Sequence, residues 1–113
     1  METVIAEKVE AIAHLGMLNS RMKDFFDVWF LAKTFPFDPG KLSEAVAATF
    51  SRRGTQWDIA KLEELLAALG SDPTKALQWR AFLQKSGLAA PVEFSDITNA
   101  VRLFLSRHVG DGQ

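Results

Sequence analysis

The chain has 113 residues, 48% of them hydrophobic and 11% aromatic, a balance that suits one globular helical or mixed domain and excludes a disordered chain. A net charge of −1 argues against a generally basic nucleic-acid-binding surface, and the lack of cysteine excludes a disulfide framework and thiolate metal sites. Met1 to Lys8 carries acidic residues and no apolar core segment, so no signal peptide is expected. No run approaches the roughly 18 apolar residues of a membrane span. The expectation is a soluble cytoplasmic protein with no membrane contact.

The first helix is predicted from Glu2 to Leu15. At about 100° per residue, Val4, Ile5, Val9, Ala11, Ile12 and Leu15 share one arc, and Lys8 falls near its middle. His14 projects with Thr3, Glu7 and Glu10 on the polar side, where a solvated histidine is expected. Gly16 suits the C′ position, and Asn19 or Ser20 can cap the next helix.

That second helix is predicted through Lys33, stopping before Phe35-Pro36 because the residue before a proline is driven out of the α region. Asp24 falls between Val28 and Leu31 on its inward side, and Asp27 lies at the edge of the same face with Lys23 beside it. Met22, Phe25, Phe26, Val28, Trp29, Phe30, Leu31 and Ala32 cover more than half its circumference. A helix apolar nearly all round is either central to its fold or in contact with a second body. Phe26 and Phe30 are the candidate interface residues, facing a partner chain or a second copy of this one.

Asp38-Pro39 predicts a third helix, an N-cap followed by a proline at N1. Leu42, Ala45, Val46, Thr49 and Phe50 form its inner face, and Gly54 ends it. Arg52 and Arg53 sit in its last turn, where cations complement the helix dipole, and a phosphate contact is the other reading. Thr55 or Asp58 starts a fourth helix with Ile59, Leu62, Leu65, Leu66 and Leu69 inward and Gly70 closing it. Asp72-Pro73 starts a fifth with Leu77, Trp79, Phe82 and Leu83 inward, ending at Gly87. Ser95 is the expected cap of the last helix, which carries Ile97, Val101, Phe104 and Leu105 inward and frays at Gly110-Asp111-Gly112. With no sustained strand alternation and no internal linker, residues 1–113 read as a single all-α domain, a bundle of five or six short helices.

Most catalytic signatures are absent: no glycine-rich phosphate loop, no Gly-x-Ser-x-Gly elbow, no His-Glu-x-x-His zinc motif. The exception is Lys8 with Asp24. A buried unpaired charge is several kcal/mol unfavourable, so each must be paired, hydrated or bound to a ligand. A short turn makes the two helices neighbours and lets these residues face one another. The pair is then either an ion pair that sets helix register, or a site in which lysine neutralises a phosphate and a carboxylate orients it or assists a metal.

Glu2-Thr3-Val4-Ile5-Ala6-Glu7-Lys8, Leu15-Gly16-Met17 and Asn19-Ser20-Arg21-Met22-Lys23-Asp24-Phe25-Phe26-Asp27 resemble the C-terminal half of AbiEii/AbiGii-type nucleotidyltransferases, the toxins of abortive-infection toxin–antitoxin pairs. Ala48-Thr49-Phe50-Ser51-Arg52-Arg53-Gly54-Thr55 and Gln78-Trp79-Arg80-Ala81-Phe82-Leu83 resemble further segments. The resemblance implies a lysine and an aspartate from the helical region that complete a nucleotide site. Carried over, these are Lys8, as the contact to an NTP phosphate, and Asp24 or Asp27, with Lys23 alongside. It also implies NTP and Mg²⁺ as cofactors of a complete member, an antitoxin partner, and tRNA as acceptor in some members. In such members an N-terminal domain supplies a Gly-Ser motif and a metal-holding Asp-x-Asp. No Gly-Ser precedes Lys8 and no Asp-x-Asp occurs in these residues. The expectation is a helical C-terminal part, inactive without that missing domain.

Overall fold

Side chains that satisfy helix ends decide where each element begins. In the computed structural model, which describes residues 1–109, the Asp38 carboxylate accepts from the Gly40 and Lys41 amides, Asp58 from Lys61 and Asp72 from Thr74. These three caps open α3 (Pro39–Arg53), α4 (Ile59–Ser71) and α5 (Pro73–Ser86). The other elements are α1 (Glu2–Leu15), a 3₁₀ turn (Gly16–Leu18), α2 (Met22–Thr34) and α6 (Phe94–His108). Among the described residues there are six α-helices and no strands, the all-α bundle that the helix punctuation predicts. Gly54 adopts φ 71° and ψ 23° past the end of α3, the left-handed C′ conformation that disfavours a side chain. The expected fraying at Gly110 to Gly112 lies outside the described residues.

All six helices feed one core. Ile5, Val9 and Ile12 of α1, Phe25 and Val28 of α2, Leu42 and Phe50 of α3, Leu66 and Leu69 of α4, Trp79 of α5, and Ile97 and Leu105 of α6 are sealed from solvent. α1 packs on α2 and α3, α6 packs on α4 and α2, and α5 closes against α2, α4 and α6. α2 is therefore held between α1, α5 and α6. Neighbours cover part of its apolar surface: Phe25 meets Phe94 of α6 edge-on at 5.1 Å and Phe26 meets Phe82 of α5 at 6.2 Å, while Trp29 and Phe30 contact Phe26 within α2 itself.

Several sequence expectations are corrected. Phe26 is buried at 7% exposure, beneath the stacked ring of Phe30 at 41%, so Phe30 alone of the two offers a surface. Val4 is exposed, and Glu10, expected on the polar side, is buried. Leu77 points to solvent at 70% exposure, while Lys75 and Trp79 face in. The apolar residues of α5 do not form one stripe, and the two large rings decide its rotation. The α6 start carries no side-chain cap: Glu93, not Ser95, is its N-cap. Asn19 Oδ1 accepts from the Arg21 amide at 2.7 Å, one residue before α2.

Gly70 does not end α4 but lies inside it, where α4 crosses α6. A Cβ there would fall 2.3 Å from Thr98 Oγ1 and 3.3 Å from Ser95 Cα. In an open helix Gly→Ala adds roughly 1 kcal/mol of stability. At this crossing Thr98 is buried and its hydroxyl donates to the Ser95 carbonyl, so a methyl group must displace the Thr98 side chain from that bond or push the helices apart. Gly70→Ala should therefore destabilise by about 1–3 kcal/mol in urea titrations, with Thr98→Ala recovering part of the loss.

Candidate functional site

The short 3₁₀ connection turns the chain so that α1 and the start of α2 share a face. Lys8 projects from α1 and meets both acidic residues of α2. Its Nζ lies 2.9 Å from Asp27 Oδ2 and 3.6 Å from Asp24 Oδ1. Lys23, one turn before Asp27, sits 3.0 Å from Asp27 Oδ1. Arg21 Nε lies 3.1 Å from Asp24 Oδ2. That contact is off the hydrogen-bond line, so this buried oxygen has a neutralising charge and no hydrogen bond. All four sequence-predicted residues, Lys8, Lys23, Asp24 and Asp27, come together; Phe26 lies between the two aspartates in the chain but is turned to the core, and Phe30 lies further along α2.

Burial divides the cluster. The Asp24 side chain is 4% exposed and that of Lys8 26%, so the aspartate forms the floor and the lysine the rim. Contact with Asp27 is the main cause that holds the Lys8 ammonium above its ordinary value of 10.5; partial burial opposes this and the Asp24 charge adds to it. A raised lysine value means that the folded state binds the proton more tightly than the unfolded state. The stabilisation is complete below pH 10.5 and is lost as pH rises through the folded-state value. Thermal melts should accordingly show a loss above pH 10.5 that is diminished in Lys8→Met.

The cluster opens into a cleft of about 530 Å³ between α1, α2 and α5. Lys8, Arg21, Lys23 and Lys85 line it against only two carboxylates, Asp24 and Asp27, so its wall has a cationic surplus. Such a concavity suits an anion with several oxygens, and a phosphate chain is the obvious class. It does not suit a divalent metal. Both carboxylates already serve cations, and among the described residues no group of three or more His, Cys, Asp or Glu side chains converges. Mg²⁺ implied by the resemblance is not held by these residues.

Sequence reading missed the α5 wall. Gln78, Ala81, Phe82 and Lys85 line the cleft, and their i, i+3, i+4, i+7 spacing was the available signal. It also missed Lys75, a buried lysine whose Nζ donates to the Asn19 carbonyl at 2.7 Å and so fixes the turn that leads into Arg21. Arg52 and Arg53 reach across to α1, where both pair with Glu7, and Thr55 Oγ1 donates to the buried Glu10 at 2.6 Å. These contacts lock α1 to α3, a role that the helix-dipole reading did not contain. His14 is exposed, as expected.

Among the described residues no helix is long and apolar enough to cross a membrane. No curated protein and no solved structure matches the chain. The family model described as "Nucleotidyl transferase AbiEii toxin, Type IV TA system" matches residues 1–102, nearly the whole sequence. This match spans every segment that carries the resemblance, from Lys8 through the Arg21–Asp27 run to α5. The chain belongs to the AbiEii nucleotidyltransferase toxin family of type IV toxin–antitoxin systems.

Proposed function

We propose that residues 1–113 are the helical C-terminal part of an AbiEii-like nucleotidyltransferase and form the phosphate-facing half of its nucleotide site. The observation that carries this reading is the cationic cleft around Lys8, built on a buried carboxylate. In nucleotidyl transfer an acceptor hydroxyl attacks the α-phosphorus of an NTP and loses its proton. The bond to the β-phosphate breaks, and pyrophosphate leaves with the electron pair. Lys8 neutralises charge on the phosphate oxygens, where catalysis is mostly positioning and electrostatics. Asp24 and Asp27 orient Lys8 by pairing with it from two sides, and Lys23 adds charge at the rim. Asp24 is thus a positioning residue. The metal-holding Asp-x-Asp does not occur in these residues, so the chain alone transfers nothing; a catalytic domain with that motif completes the site. The same reading makes an antitoxin the restraining partner and the cytoplasm, where NTPs are, the compartment.

The test is transfer of α-labelled NTP by the chain joined to a family catalytic domain carrying Gly-Ser and Asp-x-Asp. The chain alone should give no product. Lys8→Ala in the joined protein should lower the rate on the order of 100-fold or more while leaving the helical spectrum intact. Retained transfer by that variant would remove Lys8 from the site.

A second reading, a module that docks a partner chain, is favoured by the half-exposed Phe30 on its Phe26 support. Light scattering of the purified chain at rising concentration separates the two. A self-associating species lost in Phe30→Ser favours docking, and a monomer throughout counts against a surface that pairs with a second copy.

A further inference from the structure

The α5 wall of the cleft is chemically unlike the rest. Lys8, Arg21, Lys23 and the two aspartates crowd the α1–α2 side, whereas α5 presents an aromatic ring and a neutral amide, with its one charge, Lys85, a turn beyond them. Phe82 stands within a run of rings. Phe94 and Trp79 lie 5.5 Å apart, Trp79 and Phe82 5.4 Å, and Phe82 and Phe26 6.2 Å. Trp79 and Phe94 are sealed, so Phe82 reaches the cleft partly exposed on a rigid backing. One turn earlier, Gln78 lines the same cleft, and its Oε1 is buried with no hydrogen-bond partner. An orphaned acceptor of this kind is stabilised by any ligand that brings it a donor. The terminal amide torsion is soft enough to turn toward one. At about 530 Å³ the cleft falls within the range of small-molecule sites and exceeds what a phosphate chain alone fills.

We propose that the α5 stripe is a nucleobase subsite, in which the base lies against Phe82 and an exocyclic amino group of adenine or cytosine donates to Gln78. The proposal rests on the phosphate reading of Lys8 and adds the element that tells one nucleotide from another. Ring stacking is indifferent to base identity, because every base has a π face; it contributes affinity. The amide contributes choice. Uracil carries no amino group and leaves the Gln78 acceptor less well matched.

The experiment is calorimetric titration of the chain with tripolyphosphate, ATP, CTP and UTP, each at the same ionic strength. ATP and CTP should bind about tenfold tighter than tripolyphosphate, and several-fold tighter than UTP. Phe82→Leu, which keeps apolar volume but removes the ring, should erase most of the gain over tripolyphosphate. Gln78→Leu should bring UTP level with ATP and CTP while leaving tripolyphosphate unchanged. Nucleotides that bind no tighter than tripolyphosphate overturn the subsite and leave the phosphate reading standing; this comparison needs no variant, so a misfolded Phe82→Leu cannot obscure it. Failure of tripolyphosphate itself to bind overturns the phosphate reading and the subsite with it.

Discussion

Lys8→Met is expected to weaken tripolyphosphate binding at least tenfold and to lower stability by about 1–3 kcal/mol. The two effects have different origins. Binding falls because the cation nearest both carboxylates is lost from the cleft, leaving two negative charges facing an anionic ligand. Stability falls because Asp24 is buried and keeps only Arg21 as a neutralising neighbour. Breaking a fully buried pair commonly costs about 3–5 kcal/mol. Lys8 is partly solvated and Arg21 remains, so a smaller loss is expected here. Adding Asp24→Leu removes the stranded charge, and Lys8→Met with Asp24→Leu should return close to the original stability. Binding should not return. That split separates a phosphate site from a pair that only fixes helix register, for which tripolyphosphate binding is the same in all three proteins.

Trp79→Ala should be the most damaging single change to the fold, at about 3–5 kcal/mol, with the melting temperature lowered by roughly 10–25 °C. Trp79 is fully buried and is the largest sealed side chain. Its ring touches Phe82 and Phe94, and its Nε1–H donates to the Pro91 carbonyl at 2.9 Å. It therefore joins α5 both to α6 and to the segment between them. Trp79→Phe keeps most of the ring contacts and loses the donor, so a loss of about 1–2 kcal/mol is expected, read by urea unfolding. Because Trp79 also backs Phe82, even a folded Trp79→Phe chain should distinguish nucleotides from tripolyphosphate less sharply.

The helix boundaries were legible because they are local chemistry. Asp38, Asp58 and Asp72 satisfy amides within their own first turns, and a reader needs only the next three residues to see it. Lys8 and Asp24 were legible for a related reason: each charge breaks an otherwise apolar arc, and a short turn lies between their helices. What stayed hidden depends on distant partners. Glu10 looks solvated on its own helix and is buried because Thr55, 45 residues away, donates to it. Gly70 looks like a helix stop, yet its role is set by Thr98 on another helix. The rotation of α5 misled for a third reason. Leu77 has the apolar character of a core residue, but sealing Trp79 turns Leu77 outward and brings Gln78 and Phe82 to the cleft. That rotation is a property of packing, and it decides what the second wall of the site is made of.

On the proposed reading, the cleft between α1, α2 and α5 receives the phosphates of a nucleotide. Amide shift mapping by ¹H–¹⁵N correlation during a tripolyphosphate titration tests it most directly. The predicted result is a set of saturable shifts centred on Lys8, Arg21, Lys23 and Lys85, abolished in Lys8→Met. Shifts centred instead on Arg52 and Arg53, or no saturable shifts at all, would contradict it.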